Sequence, residues 1–454
     1  MSSIFSPIRL HENAAFAAKN TALRGAMRTA TDVFAAKRAE GMGSGPVEAW
    51  RDQASEIRQY IVDNMLDCVD QFAASATRAG AVVHRARDSE SAREAIFNIL
   101  RNHRAARIVK AKSMITEEIH LNEYLEARGF YVVETDLGQY IVQLAGERPS
   151  HLLAPAIHKS RREVGRLFSD KLGVPYSDDP TVLTGIARTA LRKEFLSADA
   201  GISGANFAVA DSGSLVIFTN EGNGRMVTAL PPLHIAVLSM EKIIPSLKDL
   251  AVFARLLPRA ATGQALSTYL SIITGNRKSK DSTGSRELHI VLLDNGRSQI
   301  LAGEYRNIFK CIRCSACINV CPVYRTIGGH AYGATYSGPM GIILTILLEG
   351  MDKAHSLLDA STMCGACAEV CPVRVPLLDL IYKLRKERAE KGLSSQIERK
   401  AMAGFGCVVK SPFLFNMAQT AARVFWPIVR KVDGKDVLPR VPVPAARTLR
   451  RRLS

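Results

Sequence analysis

The sequence lacks the features of a membrane-spanning or secreted protein. Its longest apolar stretch, Gly341–Leu348 (GIILTILL), is far shorter than the ~20 residues that a helix needs to cross a bilayer. The amino-terminal stretch, MSSIFSPIRLHENAAFAAKN, contains no apolar core of the kind found in secretory signals. We therefore expect a cytoplasmic protein without a transmembrane segment.

Motifs that bind dinucleotides or nucleoside triphosphates are also missing. The glycine-rich segment 201–225, GISGANFAVADSGSLVIFTNEGNGR, contains neither G-x-G-x-x-G at a strand–helix junction nor a Walker A motif. We accordingly expect no NAD or flavin site.

Aromatic residues are scarce, at 6% of the chain, and no lysine- or arginine-rich block is interleaved with them. The net charge of +17 favours an anionic partner, but the missing basic and aromatic footprint argues against nucleic acid. The segment 427–454 carries eight Lys or Arg residues against two Asp. This basic end is either a solvated tail or a docking segment for an acidic partner or an anionic lipid, so peripheral membrane contact stays open.

What the chain does contain is a repeated cysteine motif. CIRCSACINVCPVYR (311–325) has the spacing C-x2-C-x2-C-x3-C-P, and MCGACAEVCPVR (363–374) nearly repeats it with three cysteines. Grouped cysteines in a reducing compartment indicate metal binding rather than disulfides. In two-cluster ferredoxins, the first three cysteines of such a motif bind one iron–sulfur cluster and the fourth binds the other.

Applied to this chain, the rule predicts two crossed ligand sets. The first cluster takes Cys311, Cys314, Cys317 and Cys371, and the second takes Cys321, Cys364 and Cys367. We expect [4Fe–4S] for the first cluster and favour [4Fe–4S] over [3Fe–4S] for the second. Zinc is the alternative metal, but zinc sites do not require this spacing twice.

The second set lacks a fourth cysteine. Ser361 stands at the matching position, and its alkoxide is a candidate ligand although serine is a poor substitute for thiolate. Cys407 is another candidate, with a role as a small buried apolar residue at least as plausible. The third alternative is a cluster without a fourth protein ligand.

Helical and strand patterns divide the chain into four parts. Residues 1–65 read as a helical amino-terminal extension, and 66–300 alternate helices with short apolar strands, which predicts a parallel α/β sheet. PLHIAVLSM (232–240) and ELHIVLLDN (287–295) are expected to be buried strands, and AVADSGSLVIFTN a hairpin turning at 211–213. Residues 301–395 form the cysteine domain, and 396–454 a helical and basic carboxyl-terminal tail.

The glycine-rich segment is also a candidate anion-binding loop. Its backbone N–H groups and one guanidinium could meet a carboxylate or a phosphate. The residues concerned are Gly204, Asn206, Glu221, Asn223 and Arg225. Turn formation alone is the competing interpretation, because Gly and Asn are common turn residues.

Two long stretches resemble a known family. The LUD (lactate utilization) domain is similar to two segments of this chain, KAKSMITEEIHLNEYLEARGFYVVETDLGQYIVQLAGERPSHLLAPAIHK and GISGANFAVADSGSLVIFTNEGNGRMVTALPPLHIAVLSMEKIIP. CIRCSACINVCPVYRTIGGHAYGATYSGPMG with CGACAEVCPVRVPL resembles the dicluster module of the lactate utilization protein B family. The resemblance implies a LUD domain of the NagB/RpiA/CoA-transferase-like α/β fold, followed by an α-helical ferredoxin-type domain.

The same resemblance implies the function. It predicts an iron–sulfur electron-transfer subunit in the oxidation of L-lactate to pyruvate, acting beside a cysteine-rich subunit and a second LUD-domain protein. The electron acceptor is not specified, and no lactate-binding residues can be matched. Two alternatives are a subunit of a glycolate-type 2-hydroxy-acid oxidoreductase and an iron–sulfur regulatory protein whose LUD domain senses a ligand.

Overall fold

The structure is a computed structural model that describes residues 9–277, 284–394, 396–432 and 435–436. One compact unit ends at Arg385, and a second begins at Lys386. The first eight residues and most of the basic end, including VLPRVPVPAARTLRRRLS (437–454), lie outside the described residues.

The described strands are short and, in the central sheet, mostly buried. They are β1 (Val82–Ala86), β2 (Arg107–Lys110), β3 (Tyr131–Glu134), β4 (Ala200–Ser203), β5 (Phe207–Val209), β6 (Ser214–Thr219), β7 (Leu233–Ser239), β8 (Ile243–Ile244), β9 (Tyr269–Thr274), β10 (Glu287–Leu293), β11 (Lys431–Val432) and β12 (Lys435–Asp436).

The described α-helices alternate with these strands and then dominate the rest of the chain. They are α1 (Leu10–Lys19), α2 (Thr21–Met42), α3 (Val47–Asp63), α4 (Met65–Arg78), α5 (Ser89–Asn102), α6 (Met114–Glu118), α7 (Leu121–Glu126), α8 (Leu137–Ala145), α9 (Arg161–Leu172), α10 (Pro180–Ser197), α11 (Asn223–Ala229), α12 (Leu247–Thr262), α13 (Arg297–Ala302), α14 (Ala316–Asn319), α15 (Tyr324–Ile327), α16 (Gly338–Glu349), α17 (Met351–Ala354), α18 (Ala366–Glu369), α19 (Leu377–Glu390), α20 (Gln396–Lys410) and α21 (Pro412–Arg430).

The predicted parallel sheet is present. Among the described strands it has six members in the order β1-β10-β7-β4-β2-β3, and every neighbouring pair is parallel. The two apolar runs expected to be buried strands are β7 and β10, whose Leu233 pairs with Glu287. Helices on both faces cover the sheet, which explains why its central strands are apolar throughout rather than alternating.

A second sheet was not foreseen from the sequence. It has the order β8-β5-β6-β9, and it contains the predicted hairpin as the antiparallel pair β5 and β6. Strand β8 is only two residues long, and β9 is separated from β6 by α11, α12, a 3-10 segment and the strands β7 and β8. Pairing between such distant and short segments leaves little local pattern to recognise.

The amino-terminal helices are part of the first unit rather than a separate appendage. Helix α2 packs on α12 of the α/β region and on α14 and α15 of the cysteine region, and α3 packs on both regions as well. The fully buried Arg58 of α3 fixes this position, because its guanidinium donates to the carbonyls of Ile243 (3.0 Å) and Lys310 (3.2 Å).

The cysteine region consists of short helices and 3-10 turns in the part of 297–385 that the structure describes. Three of the 3-10 segments are Arg306–Lys310, His330–Tyr332 and His355–Ala360. Its longest fully internal helix, α16, is apolar almost all round and buried, as expected of a core helix.

The second unit contains α20, α21 and the antiparallel pair β11–β12. Of the described residues, no single helix is both long and apolar enough to cross a bilayer. Arg399–Lys410 and Pro412–Ala421 meet that requirement only as a pair, and the pair is bent by 115°.

A buried ionic network joins the α/β region to the cysteine region. Arg297 at the start of α13 donates to Glu118 (2.7 Å) and to Glu241 (2.9 Å), and its side chain is wholly buried. Glu241 also accepts from Arg313 at 3.0 Å, while the Tyr336 hydroxyl donates to Glu118 at 2.6 Å. Burial alone would raise the pKa of Glu241, but Arg297 and Arg313 lower it to about 2, so the carboxylate stays ionised.

This network predicts a large effect for Arg297→Met. The substitution removes the only cation that contacts both carboxylates in the described network, and an uncompensated buried charge costs about 3–5 kcal/mol in the free energy of unfolding. Urea titration followed by circular dichroism measures the change. The matched control is Arg306→Met, because Arg306 pairs with Asp63 at 3.2 Å with both side chains nearly half exposed, and such pairs contribute about 1 kcal/mol or less. Equal losses in the two variants would contradict the assignment.

Candidate functional site

Four cysteines from the two distant motifs line one cavity. These are the residues predicted for the first cluster, Cys311, Cys314, Cys317 and Cys371. Burial raises the pKa of the Cys314 thiol to about 12, and the neighbouring thiolates of Cys371 and Cys311 raise it as well. The remaining wall is largely apolar and includes Ile318, Met340 and Val373.

The three cysteines predicted for the second cluster influence one another in the same way. Burial raises the pKa of Cys367 to about 11, and the thiolates of Cys321 and Cys364 add to the shift. Cys321 and Cys367 are buried, whereas Cys364 is exposed. The structure therefore places four thiols in one cavity and brings the other three close enough to influence one another, with only Cys364 of the second group at the surface.

The two motifs repeat in backbone geometry as well as in sequence. Cys364 is the counterpart of Cys314 in the second motif, and the residue before each of them has a positive φ, which is 60° at Arg313 and 55° at Met363. The residue after each of these two cysteines does too, with 65° at Ser315 and 90° at Gly365. Left-handed residues at these points turn backbone N–H groups inward and create the concave nests that iron–sulfur sites use.

Ser361 lies at the position equivalent to Cys311. The backbone N–H of Met363 donates to Ser361 Oγ at 3.3 Å, just as the N–H of Arg313 donates to Cys311 Sγ at 3.4 Å. Cys407, the other candidate for the missing ligand, is exposed on α20 and belongs to the second unit.

Two buried hydroxyls make the cysteine sites suitable for a sulfide-rich group. Ser315 Oγ, next to Cys314 in the chain, is buried and has no hydrogen-bond partner among the described residues, and the buried Tyr332 hydroxyl faces the thiol of Cys321. A buried hydroxyl without an acceptor is unfavourable, and thiolates and inorganic sulfides of a cluster are acceptors. Seven thiols with these two donors fit iron–sulfur clusters.

A separate pocket of about 300 Å³ lies at the carboxyl ends of the parallel strands. Residues that directly follow β2, β4 and β7 form its walls, which is where open α/β sheets commonly bind ligands. Gly204 is needed at this edge, because a Cβ there would clash with Ser113 Oγ. The volume suits a small metabolite.

Charged side chains of both signs line the pocket. Burial lowers the pKa of Lys112, and burial together with the nearby Arg313 lowers the pKa of Lys242 to about 7. Burial raises the pKa of Glu221, as does the adjacent charge of Asp136. The pocket therefore contains two lysines whose ammonium forms a bound carboxylate would stabilise, and one glutamate, Glu221, that holds a proton more readily than usual.

The predicted anion loop is only partly in this pocket. Gly204, Asn206, Glu221 and Asn223 line it, whereas Arg225 is not among its lining residues and lies over the ring of Tyr269. The two asparagine side chains serve the local fold, because Asn206 Oδ1 accepts from the N–H of Phe218 (2.9 Å) and Asn223 Oδ1 from the hydroxyl of Thr219 (2.7 Å).

Lys112 and Lys242 were not singled out from the sequence. Each follows a strand of the central sheet, Lys112 after β2 and Lys242 after β7. Polar residues that follow the strands of a parallel sheet meet at one edge of that sheet. Their place after β2 and β7 is therefore the sequence feature that could have identified these two lysines.

Arg313 connects the pocket with the cysteine cavity. It belongs to the lining of both, and its guanidinium is held by Glu241 while its backbone N–H reaches Cys311 Sγ. The ligand pocket and the cavity of the first group of cysteines thus share Arg313 as a lining residue.

Comparison with known proteins accounts for both parts of this arrangement. Residues 69–293 match the LUD domain, and residues 307–375 match the 4Fe-4S dicluster domain. "Lactate utilization protein B" of Bacillus velezensis is 45% identical over 88% of this chain and 84% of its own length.

The chain belongs to the lactate utilization protein B family. The proteins of the same name from Bacillus licheniformis and Bacillus subtilis are each 44% identical, covering 92% and 88% of this chain and 88% and 84% of their own lengths. The family match supports iron–sulfur clusters in the cysteine region. A crystal structure of a DUF162 family protein from Deinococcus radiodurans aligns with 50% of this chain over 98% of its own length, at 15% sequence identity. The TM-score of this alignment is 0.30, which is too low to support a statement about fold.

The equivalence of Ser361 and Cys311 leads to a test of the missing ligand. We expect Ser361→Ala to change the electron paramagnetic resonance spectrum of the second cluster, because it removes the oxygen that occupies the cysteine position. Cys407→Ala is the matched variant, and we expect it to leave the iron content and the spectrum unchanged. A changed spectrum in the cysteine variant alone would assign the ligand to Cys407 instead.

Proposed function

We propose that this chain carries electrons in the oxidation of L-lactate to pyruvate and binds the small carboxylate beside its first cluster. The single observation that carries this proposal is the position of Arg313, which lines both the pocket and the cysteine cavity. A substrate pocket one side chain away from a redox centre allows direct electron delivery.

The first cluster would be a [4Fe–4S] centre held by Cys311, Cys314, Cys317 and Cys371. The second, also [4Fe–4S], would be held by Cys321, Cys364 and Cys367, with Ser361 as the candidate for the fourth position. When bound, such clusters accept and release single electrons at potentials that the surrounding charges and hydrogen bonds set.

The pocket residues supply binding and proton transfer. Lys112 and Lys242 provide charge-assisted contacts to the carboxylate of the substrate. Oxidation of a 2-hydroxy acid to a 2-oxo acid releases two electrons and two protons. Asp136 and Glu221 are carboxyl groups of the pocket lining, and the raised pKa of Glu221 suits that side chain to accept a proton.

Partners complete the electron path. Membership of the family supports a lactate utilization complex, and we propose that it contains a cysteine-rich subunit and a second LUD-domain protein. Cys364 is exposed, so a partner could approach the second group of cysteines from its side. We further propose the NagB/RpiA/CoA-transferase-like type for the LUD sheet, the boundaries 66–300 and 301–395 for the two central domains, and a cytoplasmic location.

Loss of the first cluster tests the proposed electron path. We expect anaerobically purified Cys314→Ala to lose about half of its iron and all lactate-dependent cluster reduction in the reconstituted complex, with unchanged circular dichroism. Cys68→Ala is the control, since Cys68 is buried in α4, outside both groups of cysteines. Full turnover in the Cys314 variant would refute the path, and a preference of the wild-type complex for glycolate would reassign the substrate.

The role of the pocket is tested by charge removal. We expect Lys242→Met to weaken lactate binding by about 10–100-fold, because a hydrogen bond to a charged group contributes roughly 1.5–3 kcal/mol. The measurement is the lactate concentration that half-reduces the clusters. Arg225→Met removes one positive charge from α11, outside the pocket lining, so it should leave that concentration unchanged. The same effect in both variants would mean that only the net charge matters.

A further inference from the structure

Three potential metal ligands meet at the amino-terminal end of β10, at the opposite edge of the sheet from the pocket. They are His103, at the end of α5, and Glu287 and His289, both on β10. Their ligand atoms all lie within 4.8 Å of one another. His103 Nε2 is 2.8 Å and His289 Nε2 is 3.8 Å from Glu287 Oε2.

Hydrogen bonds fix the ring of His103. Its Nδ1 lies 2.8 Å from the carbonyl oxygen of Ile99, which can only accept, so Nδ1 carries the proton. In the neutral ring, Nε2 then presents a lone pair to the Glu287 carboxylate. Two lone pairs at 2.8 Å require a positive species between them, which is either a proton or a metal ion.

The environment of His289 distinguishes between these two species. His289 is only 8% exposed, and its Nε2 is buried with no hydrogen-bond partner among the described residues. A proton on His103 satisfies the contact between His103 and Glu287 but leaves His289 Nε2 unpaired. A metal ion satisfies both, because His289 Nε2 points to the same carboxylate oxygen.

His84 supports the metal-binding form of His289. His84 Nε2 is 3.0 Å from His289 Nδ1, and the two rings stack with an interplanar angle of 16°. If His289 Nδ1 donates this bond, its Nε2 is left as a lone pair directed at the site. Histidine ligands of metals characteristically donate their second ring N–H to a carboxylate, a backbone carbonyl or water. His103 follows this pattern with the carbonyl of Ile99, and in His289 the ring nitrogen of His84 takes the place of that acceptor.

We propose that His103, Glu287 and His289 form a binding site for a first-row divalent transition metal ion, with zinc as the preferred ion. Two imidazoles and one carboxylate are an established ligand set for zinc, with metal–ligand bonds of about 2.0–2.2 Å. Ligand atoms at a tetrahedral angle are then about 3.3 Å apart. The distances of 2.8 and 3.8 Å from the two imidazoles to the carboxylate lie on either side of this value, and the two imidazole ligand atoms are within 4.8 Å of each other, so the three side chains need to rotate to reach ideal geometry.

The site is accessible and has room for a further ligand. The side chains of His103 and Glu287 are 28% and 56% exposed, so an ion can enter from solvent and keep a water molecule in the fourth position. The site shares no residue with the cysteine groups or the pocket, and it therefore represents an activity or a stabilising element beyond the proposed electron transfer.

Titration of the full-length protein with Co²⁺ tests this site. The protein is purified anaerobically with its clusters intact, so that its cysteines are occupied, and Co²⁺ serves as a spectroscopic substitute for Zn²⁺. We expect one Co²⁺ per chain with visible d–d absorption of four- or five-coordinate cobalt and without the near-ultraviolet band of cobalt–thiolate bonds. Equilibrium dialysis with Zn²⁺ should give the same stoichiometry.

Variants locate the bound ion. His103→Gln and Glu287→Gln change partly exposed side chains, so the fold should persist, as circular dichroism can verify, while the cobalt spectrum is lost. His84→Phe should weaken Co²⁺ binding by about 10–100-fold, as expected for a residue that orients a ligand. His120→Gln is the control, because His120 is a comparably exposed histidine whose only acidic neighbour within 4 Å among the described residues is Glu123.

Three results would overturn the proposal. These are absence of Co²⁺ and Zn²⁺ binding to the wild-type protein, binding that persists unchanged in Glu287→Gln, and a cobalt–thiolate band that places the ion at cysteines. The Gln variants also make the expected result interpretable, since a loss of binding without a loss of structure points to the altered ligand.

Discussion

The buried pairing of Arg297 and Arg313 with Glu118 and Glu241 is the constraint on which the rest of the first unit depends. Glu118 and Glu241 come from segments that follow strands of the sheet, whereas Arg313 lies between two cysteines. Four buried charges are tolerated only when each has partners of opposite sign at short distance. The network therefore fixes the cysteine segment against the sheet edge and determines where the pocket wall and the cysteine cavity meet.

The amino-terminal helices hold the other side of the cysteine region. Arg38 of α2 donates to the carbonyl of Val370 at 2.8 Å, and Arg51 of α3 donates to that of Cys371 at 3.0 Å. These guanidiniums bring positive charge close to the cysteines. They also donate hydrogen bonds to carbonyl groups that the short turns leave without a backbone partner. The amino-terminal helices, which the sequence predicts as an extension, therefore support the candidate redox site structurally.

Local patterns explain which features the sequence could predict. The grouping of Cys311, Cys314, Cys317 and Cys371 follows from a motif whose spacing reflects the geometry of its ligand, and β7 and β10 are apolar because helices cover both faces. Lys112 and Lys242 escaped prediction because they are far apart in the chain and only parallel pairing brings them to one edge. Arg225 was chosen for its sequence neighbours, yet its side chain lies over Tyr269 instead of in the pocket.

The crossing of the two cysteine motifs has a consequence for biosynthesis. The first group of thiols is incomplete until Cys371 has been translated, and the second needs Cys364 and Cys367, so neither can be completed while only the first motif has left the ribosome. Iron delivery is therefore expected to follow translation of this whole region. A chain truncated between the motifs would retain a partial thiol set that is open to oxidation or to capture of the wrong metal.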